Sequence, residues 1–109
     1  MKPITLQSTE EAIRQNIAIL LYFYSDHCAP CVSLRPKIQD LIGEEFSEMK
    51  LLFIDSASHP EITSHFGIFA NPTLLVFFEG REFQRWSKYV AVSQIAEALD
   101  RPYNLVFES

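Results

Sequence analysis

The sequence predicts an α/β fold in which a central mixed β-sheet of four to five strands is flanked by about four helices. Three apolar runs, residues 17–24, 51–54 and 73–78, do not alternate with polar residues, as is typical of strands covered on both faces. A segment with helical periodicity, residues 31–46, separates the first two runs. Because 109 residues can bury one hydrophobic core and not two, we expect a single domain over residues 1–109.

The first elements are predicted from short local signals. Residues 4–6 fit a short strand, and Ser8 and Glu11 have the spacing of a capping box that opens a helix ending near Arg14. The apolar run 17–24 that follows is predicted as a central strand, because its side chains are apolar on both faces.

The helix over residues 31–46 is predicted from apolar residues that recur at intervals of three and four. Pro36 lies inside this helix, removes one backbone hydrogen bond and is expected to kink it. The recurring apolar residues are Leu34, Ile38, Leu41, Ile42 and Phe46.

A short helix is predicted after the strand at residues 51–54. Ser58 and Glu61 repeat the capping-box spacing and indicate where this helix begins. Pro60 suits its first turn, where a missing N–H costs little, and Gly67 suits its end.

The last third of the chain is predicted to contain a hairpin and a helix. Residues 79–80, Glu-Gly, indicate a turn between the strand at 73–78 and a further strand over 81–86. Ser93 is predicted to cap a final helix that Pro102 ends. Residues 103–109 show no pattern that assigns them to an element.

Both cysteines of the chain, Cys28 and Cys31, lie between the first apolar strand and the long helix. At a helix N-terminus the backbone N–H groups lack intrahelical partners and the macrodipole is positive, so a thiolate is favoured over a thiol at Cys28. Cys31, one turn further on, can close a small disulfide with Cys28, and Pro30 stiffens the connection. This arrangement predicts a redox-active dithiol.

The net charge of −5 and the lack of any Lys/Arg cluster argue against nucleic acid or an anionic membrane surface as a partner. The N-terminal residues lack the apolar region of a signal peptide, and the first apolar run is far shorter than the roughly 20 residues of a membrane helix. We therefore expect a cytoplasmic protein. In a reducing compartment, a lone cysteine pair is expected to be catalytic or metal-binding rather than a permanent crosslink.

A metal site is the alternative to a redox role for the two cysteines. His27, Cys28 and Cys31 offer three ligands, whereas a structural zinc site requires four. His59 and His65 lack the usual ligand spacing. We therefore expect no metal and no other cofactor.

Three features, taken together and in order, resemble the thioredoxin family. They are the Cys-Ala-Pro-Cys motif of residues 28–31 after a buried strand, Pro36 five residues after the second cysteine, and Pro72 between a helix–loop segment and a strand. The likeness spans residues 4–99 and implies the thioredoxin fold. It also implies that Pro72 is the family's cis-proline, which lies beside the disulfide, keeps metals off the dithiol and shapes the substrate groove.

The motif and the resemblance predict a thiol–disulfide oxidoreductase that reduces protein disulfides. Cys28 is the expected nucleophile, and Cys31 is expected to resolve the mixed disulfide by attacking the Cys28 sulfur. The expected partners are protein disulfide substrates and a reductase or thiol donor that recycles the enzyme. Two alternatives stay open: a thioredoxin-fold interaction module with little redox activity, and a more oxidising oxidase or isomerase.

The residues expected to bind the substrate flank the cysteines and the proline. In the family, the residue before the cis-proline pairs through its backbone with an extended substrate segment. Asn71 takes this position and either selects polar partners or simply suits the turn. His27 either stabilises the thiolate beside it, which makes the disulfide more oxidising, or is an exposed residue at a tolerant position. The full set is His27, Ala29, Pro30, Asn71 and Pro72.

Five positions depart from the family's pattern, and one of them is Asn71, which replaces the usual apolar residue before the cis-proline. His27 and Ala29 replace the Trp and Gly of the usual Trp-Cys-Gly-Pro-Cys. Tyr22 stands where thioredoxins carry a buried aspartate, and Leu51 replaces its lysine partner. A phenol with an ordinary pKa of about 10 is a poor base at neutral pH, so Tyr22 is expected to pack rather than titrate. The family's proton-transfer pair is therefore missing.

The aromatic content predicts a phenylalanine-rich core, because the chain has nine Phe, four Tyr and one Trp. Phe69 and Trp86 fall near the predicted site. They either belong to this core or form part of a patch that binds a partner.

Overall fold

The computed structural model describes residues 3–107, which form four helices and four strands in the order αβαβαββα. The fold is α/β, as predicted. The helices are α1 Leu6–Gln15, α2 Ala29–Glu45, α3 Pro60–Phe66 and α4 Val92–Phe107. The strands are β1 Ala18–Tyr24, β2 Lys50–Asp55, β3 Thr73–Phe78 and β4 Arg81–Ser87.

The strands form one mixed sheet in the order β2-β1-β3-β4. β1 is parallel to β2 and antiparallel to β3, and β4 is antiparallel to β3. β1 and β3 therefore occupy the centre of the sheet. Their side chains are buried on both faces, which explains why their sequences do not alternate.

Two apolar clusters pack on opposite faces of the sheet, because successive side chains of a strand alternate in direction. Leu20 and Tyr22 of β1 pack in the cluster that contains residues of α2 and α4. Ile19 and Leu21 pack in the cluster that contains residues of α1 and α3. The cysteine motif thus begins the helix that covers the first of these faces. Among residues 3–107, no helix has the length and apolar character to cross a membrane.

The N-terminal segment differs from the prediction. Residues 4–6 form no strand, because α1 already begins at Leu6. The Thr5 hydroxyl accepts the Ser8 backbone N–H at 3.0 Å, and the Ser8 hydroxyl accepts the Thr5 N–H at 2.9 Å. Ser8 therefore completes a capping box opened by Thr5, and the helix starts three residues earlier than the Ser8–Glu11 spacing indicated.

The long helix α2 begins at Ala29, two residues before the predicted start. Pro30 consequently lies in its first turn, where its missing N–H needs no intrahelical partner. Pro36 lies inside the helix, as expected. The kink at Pro36 stays a prediction.

The short helix α3 begins at Pro60 and ends before Gly67, which adopts the left-handed conformation with φ of 66°, as the sequence predicted. The predicted cap at Ser58 is wrong. His59 occupies the N-cap position without a side-chain hydrogen bond, and the Ser58 hydroxyl donates to the Asp55 carboxylate at 3.1 Å. The Ser58 side chain is therefore bound to the last residue of β2 and does not cap α3.

The predicted start of the last helix is also wrong. α4 begins at Val92, so Ser93 lies within its first turn rather than at the cap. The side-chain oxygen of Gln94 accepts the backbone N–H of Ala91 at 3.0 Å and thereby satisfies a group at this terminus.

Pro102 does not end α4, which continues to Phe107 and takes up most of the unassigned tail. The ring of Tyr103 packs edge-on against Phe46, with centroids 5.0 Å apart. The Tyr103 hydroxyl also accepts the backbone N–H of Glu48 at 2.9 Å. These contacts offset the backbone hydrogen bond that the proline removes. Residues 108 and 109 of the tail lie outside the described residues.

Candidate redox site

The two cysteines form a disulfide where β1 leads into α2, and their Cα atoms are 5.3 Å apart. Cys28 is the N-cap residue of α2, and its Sγ atom accepts the backbone N–H of Cys31 at 3.2 Å. The helix N-terminus thus directs an N–H group and its positive end at the Cys28 sulfur. This surrounding favours a thiolate at Cys28 once the pair is reduced.

The two cysteines differ in exposure. Cys31 is buried, with 3% of its surface exposed, whereas Cys28 is only half-buried. Cys28 is therefore the more accessible of the two sulfurs to a second protein. Cys31 lies beneath it and is bonded to the Cys28 sulfur, and the chain contains no third cysteine.

Pro72 lies at the same end of the sheet as the disulfide. The Asn71–Pro72 peptide bond is cis, as the resemblance implied, and Pro72 is buried. The next residue, Thr73, opens β3 and pairs with Phe23 near the end of β1. Because β1 leads directly into the cysteine motif, this register places the proline and the motif at one edge of the molecule.

The side chain of Asn71 is held within the protein. Its Oδ1 atom accepts a hydrogen bond from the Ser56 hydroxyl at 2.8 Å. The backbone N–H of Ser56 in turn donates to the carbonyl of Tyr24, at the end of β1. Asn71 therefore fastens the turn before β3 to the loop that follows β2.

Tyr22 is fully buried, and its hydroxyl donates a 2.7 Å hydrogen bond to the carbonyl oxygen of Cys31. Burial raises the pKa of Tyr22 to about 12, although the Arg35 guanidinium acts in the opposite direction. The phenol is neutral at physiological pH and is no general base, as predicted. Leu51, half-buried in β2, contributes apolar packing to the same cluster. No acid–base pair stands at these two positions.

A small cavity of about 150 Å³ opens beside Cys31. Asp26 and Arg35 contribute its charged lining. The Arg35 guanidinium lies 4.1 Å from the centre of the Phe53 ring and 5.0 Å from that of Tyr24, which fixes the cation by cation–π contacts. Cys31 therefore borders a space that has charged groups in its lining and a size that can hold water.

His27, Ala29 and Pro30 are exposed around the half-buried Cys28. The backbone N–H of His27 donates to the Ser25 hydroxyl at 3.3 Å, which holds the turn before α2. The imidazole makes no hydrogen bond or ion pair with another residue of the described chain. We call these three exposed side chains the rim of the site.

The comparisons with known proteins settle the family, because the Thioredoxin family model matches residues 1–101. The chain belongs to the thioredoxin family. It is 30% identical to the thioredoxin-like protein YdfQ of Bacillus subtilis, over 93% of this chain and 89% of that protein. It is 28% identical to a thioredoxin of Pyropia yezoensis, over 84% of this chain and 86% of that protein. Mitochondrial thioredoxin 3 of Saccharomyces cerevisiae, in its oxidized form, is similar in structure with a TM-score of 0.76 at 21% identity, over 95% and 92% of the two chains.

Membership of the thioredoxin family and a cysteine pair that closes a disulfide together support thiol–disulfide oxidoreductase function.

Within residues 3–107, no group of three or more potential metal ligands comes together. His59 lies 3.6 Å from the Glu61 carboxylate and His65 lies 3.4 Å from that of Glu10, so both histidines are near surface carboxylates, apart from the cysteines.

The two aromatic residues near the site separate in the structure. Trp86 is half-buried and packs against the cluster beneath α2 and α4, whereas Phe69 is 96% exposed.

The sequence did not predict two neighbours of the site, Lys88 and Tyr89, which lie in the loop after β4. The backbone N–H of Lys88 donates to the Pro72 carbonyl at 2.8 Å, which joins this loop to the site. Neither residue belongs to a motif, so the sequence held no signal for them.

Proposed function

We propose that this protein reduces protein disulfides through a cycle in which Cys28 is the nucleophile and Cys31 the resolving residue. The observation that carries the proposal is the asymmetry of the pair. The half-buried Cys28 caps α2 and faces its N–H groups, while Cys31 is buried behind it. An accessible sulfur stabilised as a thiolate suits attack on a second protein, and a buried one suits an intramolecular second step.

The reaction starts from the reduced pair. The Cys28 thiolate attacks one sulfur of the substrate disulfide, a mixed disulfide forms, and the other substrate sulfur leaves as a thiolate. The Cys31 thiolate then attacks the Cys28 sulfur and expels the second substrate thiolate, which closes the Cys28–Cys31 disulfide. The substrate gains two electrons, and a reductase or thiol donor returns two electrons to the pair.

The substrate segment would lie across the rim described above. His27, Ala29 and Pro30 surround the attacking sulfur, and the backbone at Asn71 offers the edge on which an extended segment can pair, with Pro72 closing the cleft. The internal hydrogen bond of the Asn71 side chain supports a role in shaping this cleft. Because only the side chain of Asn71 takes part in this hydrogen bond, its backbone groups can pair with the substrate segment.

Cys31 must lose its proton before it attacks Cys28, and no buried side chain among residues 3–107 offers a base for this step. Tyr22 keeps its proton to a pKa of about 12. The polar cavity beside Cys31 supplies a route for the proton to water, with the Arg35 guanidinium on its wall to favour the thiolate. We therefore expect resolution of the mixed disulfide to be slower than it would be with a base beside Cys31.

The cytoplasm is the compartment that fits the proposed direction of transfer. A protein that donates electrons to disulfides needs its own pair reduced again, and a reducing compartment supplies that. The partners would be protein disulfides on one side and a reductase or thiol donor on the other.

The cysteine roles are tested with the variants Cys28→Ser and Cys31→Ser and insulin as a protein disulfide substrate. We expect Cys28→Ser to abolish reduction, because the nucleophile is lost. We expect Cys31→Ser to form a mixed disulfide that persists and is visible as a higher-mass band on a non-reducing gel. The double variant Cys28→Ser/Cys31→Ser is the control and should form no adduct.

Two results would contradict these roles. Reduction by Cys28→Ser at the wild-type rate would remove Cys28 as the nucleophile. Failure of Cys31→Ser to accumulate an adduct, with its fold intact by circular dichroism, would remove Cys31 as the resolving residue.

A further inference from the structure

A groove of about 500 Å³ lies between α2 and the loop that joins β4 to α4. One wall is a stripe of α2 at helical spacing, with Pro30, Leu34 and Lys37. The other wall is the loop segment Lys88, Tyr89 and Val90. We call this feature the lysine groove. It borders the redox motif at one residue, because Pro30 both lines the groove and lies between the two cysteines in the sequence.

The charge of the lysine groove is opposite to that of the whole chain. The net charge of the protein is −5, yet none of the described residues that line the groove is acidic. Each wall contributes one ammonium group, from Lys37 and from Lys88. Neither lysine forms an ion pair within the described chain, so both charges are available to an incoming group.

The loop wall is built at a conformational cost. Lys88 has a φ of 58°, in the left-handed region that favours glycine. The hydrogen bond from its backbone N–H to the Pro72 carbonyl holds it there. This geometry connects one wall of the groove to the residue that closes the substrate cleft. Tyr89, which follows, is 91% exposed and offers an aromatic face beside the positive charge.

We propose that the lysine groove binds an acidic segment of the protein disulfide substrate, next to the disulfide that Cys28 attacks. The charge complementarity is the argument: two unpaired ammonium groups and no carboxylate line a cleft in an otherwise acidic protein. Leu34 at its buried base and the exposed Tyr89 add apolar contact for the segment's side chains. Such charges raise the rate of encounter and select among partners. The inference rests on the proposed function and names the class of substrate.

The test is a single-turnover reduction of two synthetic peptides by the prereduced wild-type protein at low ionic strength. The peptides share one disulfide and differ only in flanking residues, Asp and Glu in one and Asn and Gln in the other. We expect the second-order rate constant for the acidic peptide to exceed that for the neutral peptide by about tenfold. Added salt should reduce this ratio, because exposed charges are screened.

Lysine variants show whether the groove is responsible. Lys37→Gln and Lys88→Gln should each lower the acidic-to-neutral ratio by about threefold, and the double variant should bring it near one. The matched control is Lys50→Gln, because Lys50 is an exposed lysine of β2 outside the lysine groove. It should keep the wild-type ratio. If the peptides are reduced, equal rates for the two, or an unchanged ratio in the double variant, would overturn the inference.

A second measurement separates this inference from the proposed function. The acidic peptide with its cysteines replaced by serine is titrated into the oxidised protein, and amide chemical shifts are followed by NMR. Saturable shifts at Lys37, Lys88 and Tyr89 would support binding in the lysine groove even if neither disulfide peptide is reduced. Lack of reduction would then contradict only the proposed oxidoreductase cycle. Reduction of both peptides without such shifts would leave the cycle standing and refute the groove.

Discussion

At the scale of single residues, the substitution that most changes the chemistry is Tyr22. A neutral phenol occupies the position at which the family resemblance expects a buried aspartate, and its hydroxyl donates to the Cys31 carbonyl. The residue therefore fixes the first turn of α2 by a hydrogen bond and moves no proton at neutral pH. Tyr22 thus supports the backbone of the buried Cys31 and supplies no acid–base group there.

The pKa of Tyr22 predicts how stability depends on alkaline pH. The folded protein holds this phenolic proton to about pH 12, whereas the unfolded chain loses it near the ordinary pKa of about 10. The contribution is therefore fully present below pH 10 and is lost as pH rises toward 12. We expect the free energy of unfolding to fall by roughly 2–3 kcal/mol over this range because of Tyr22. Urea unfolding at several pH values, on wild type and Tyr22→Phe, measures it.

The comparison with Tyr22→Phe isolates this residue from the other tyrosines. The variant should lose the steepest part of the alkaline dependence, because phenylalanine does not ionise. Tyr24→Phe is the matched control on the same strand and should retain it. Identical alkaline profiles for wild type and Tyr22→Phe would show that Tyr22 ionises alike in the folded and unfolded states.

At the scale of elements, α4 shows how a long-range contact overrides a local signal. Tyr103 lies one residue beyond a proline, yet its ring packs on Phe46 and its hydroxyl accepts the Glu48 N–H. Phe107 extends the same aromatic cluster, with its ring 4.6 Å from that of Tyr103. The last turns of α4 are thus fastened to the end of α2.

We expect Tyr103→Ala to lower the free energy of unfolding by about 2 kcal/mol, because it removes a half-buried ring and a hydrogen bond. The matched control is Leu105→Ala on the same helix. Leu105 is 69% exposed, so this change should stay within about 0.5 kcal/mol. Denaturant unfolding measures both variants. Equal destabilisation by the two would mean that the packing of Tyr103 on Phe46 contributes little.

The sequence predicted the parts of the fold that depend on local pattern or on order along the chain. β1, β3 and the hairpin turn at residues 79–80 follow from apolar runs and turn residues. In the structure Glu79 and Gly80 both take a positive φ, which suits a two-residue hairpin turn. The cap of α1 was misassigned because two overlapping pairs, Thr5–Ser8 and Ser8–Glu11, both satisfy the spacing of a capping box. The structure uses the first.

What the sequence did not predict depends on contacts between distant residues. Pro102 is a helix terminator by any local rule, and only the packing of the following ring on Phe46 explains why α4 continues. The same limit applies at the site. The cysteine motif and Pro72 were predicted by type and order, whereas Lys88 and Tyr89 reach the site through the path of a loop, which no spacing encodes.

At the scale of the whole molecule, the reduction potential of the Cys28–Cys31 pair decides the direction of electron transfer. For the proposed reductase we expect a two-electron transition near roughly −270 mV in graded thiol–disulfide buffers, read by alkylation of free thiols. His27→Trp, which restores the family's residue, is the informative variant. A higher potential in wild type than in this variant would mean that the imidazole stabilises the thiolate.

A wild-type potential between about −180 and −120 mV would instead assign the protein to the oxidising or isomerising class. The value is a property of the entire fold, because each 30 mV corresponds to about 1.4 kcal/mol of difference in stability between oxidised and reduced protein. The difference in unfolding free energy between the two forms should therefore match the difference between the potentials of the folded and the unfolded pair. Disagreement between the two would show that the reduced protein does not unfold in two states.

The exposed edge of the sheet at β4 affects whether molecules of this protein associate with one another. β4 is an edge strand, and an unpaired edge is a template on which strands of other chains can add. Its outward residues include Arg81 and the ion-paired Glu82 and Arg85, and its pairing with β3 shifts register near Phe83. Charges and a bulge are the features by which natural sheets prevent such addition. β4 thus protects the molecule from aggregation through this edge of the sheet.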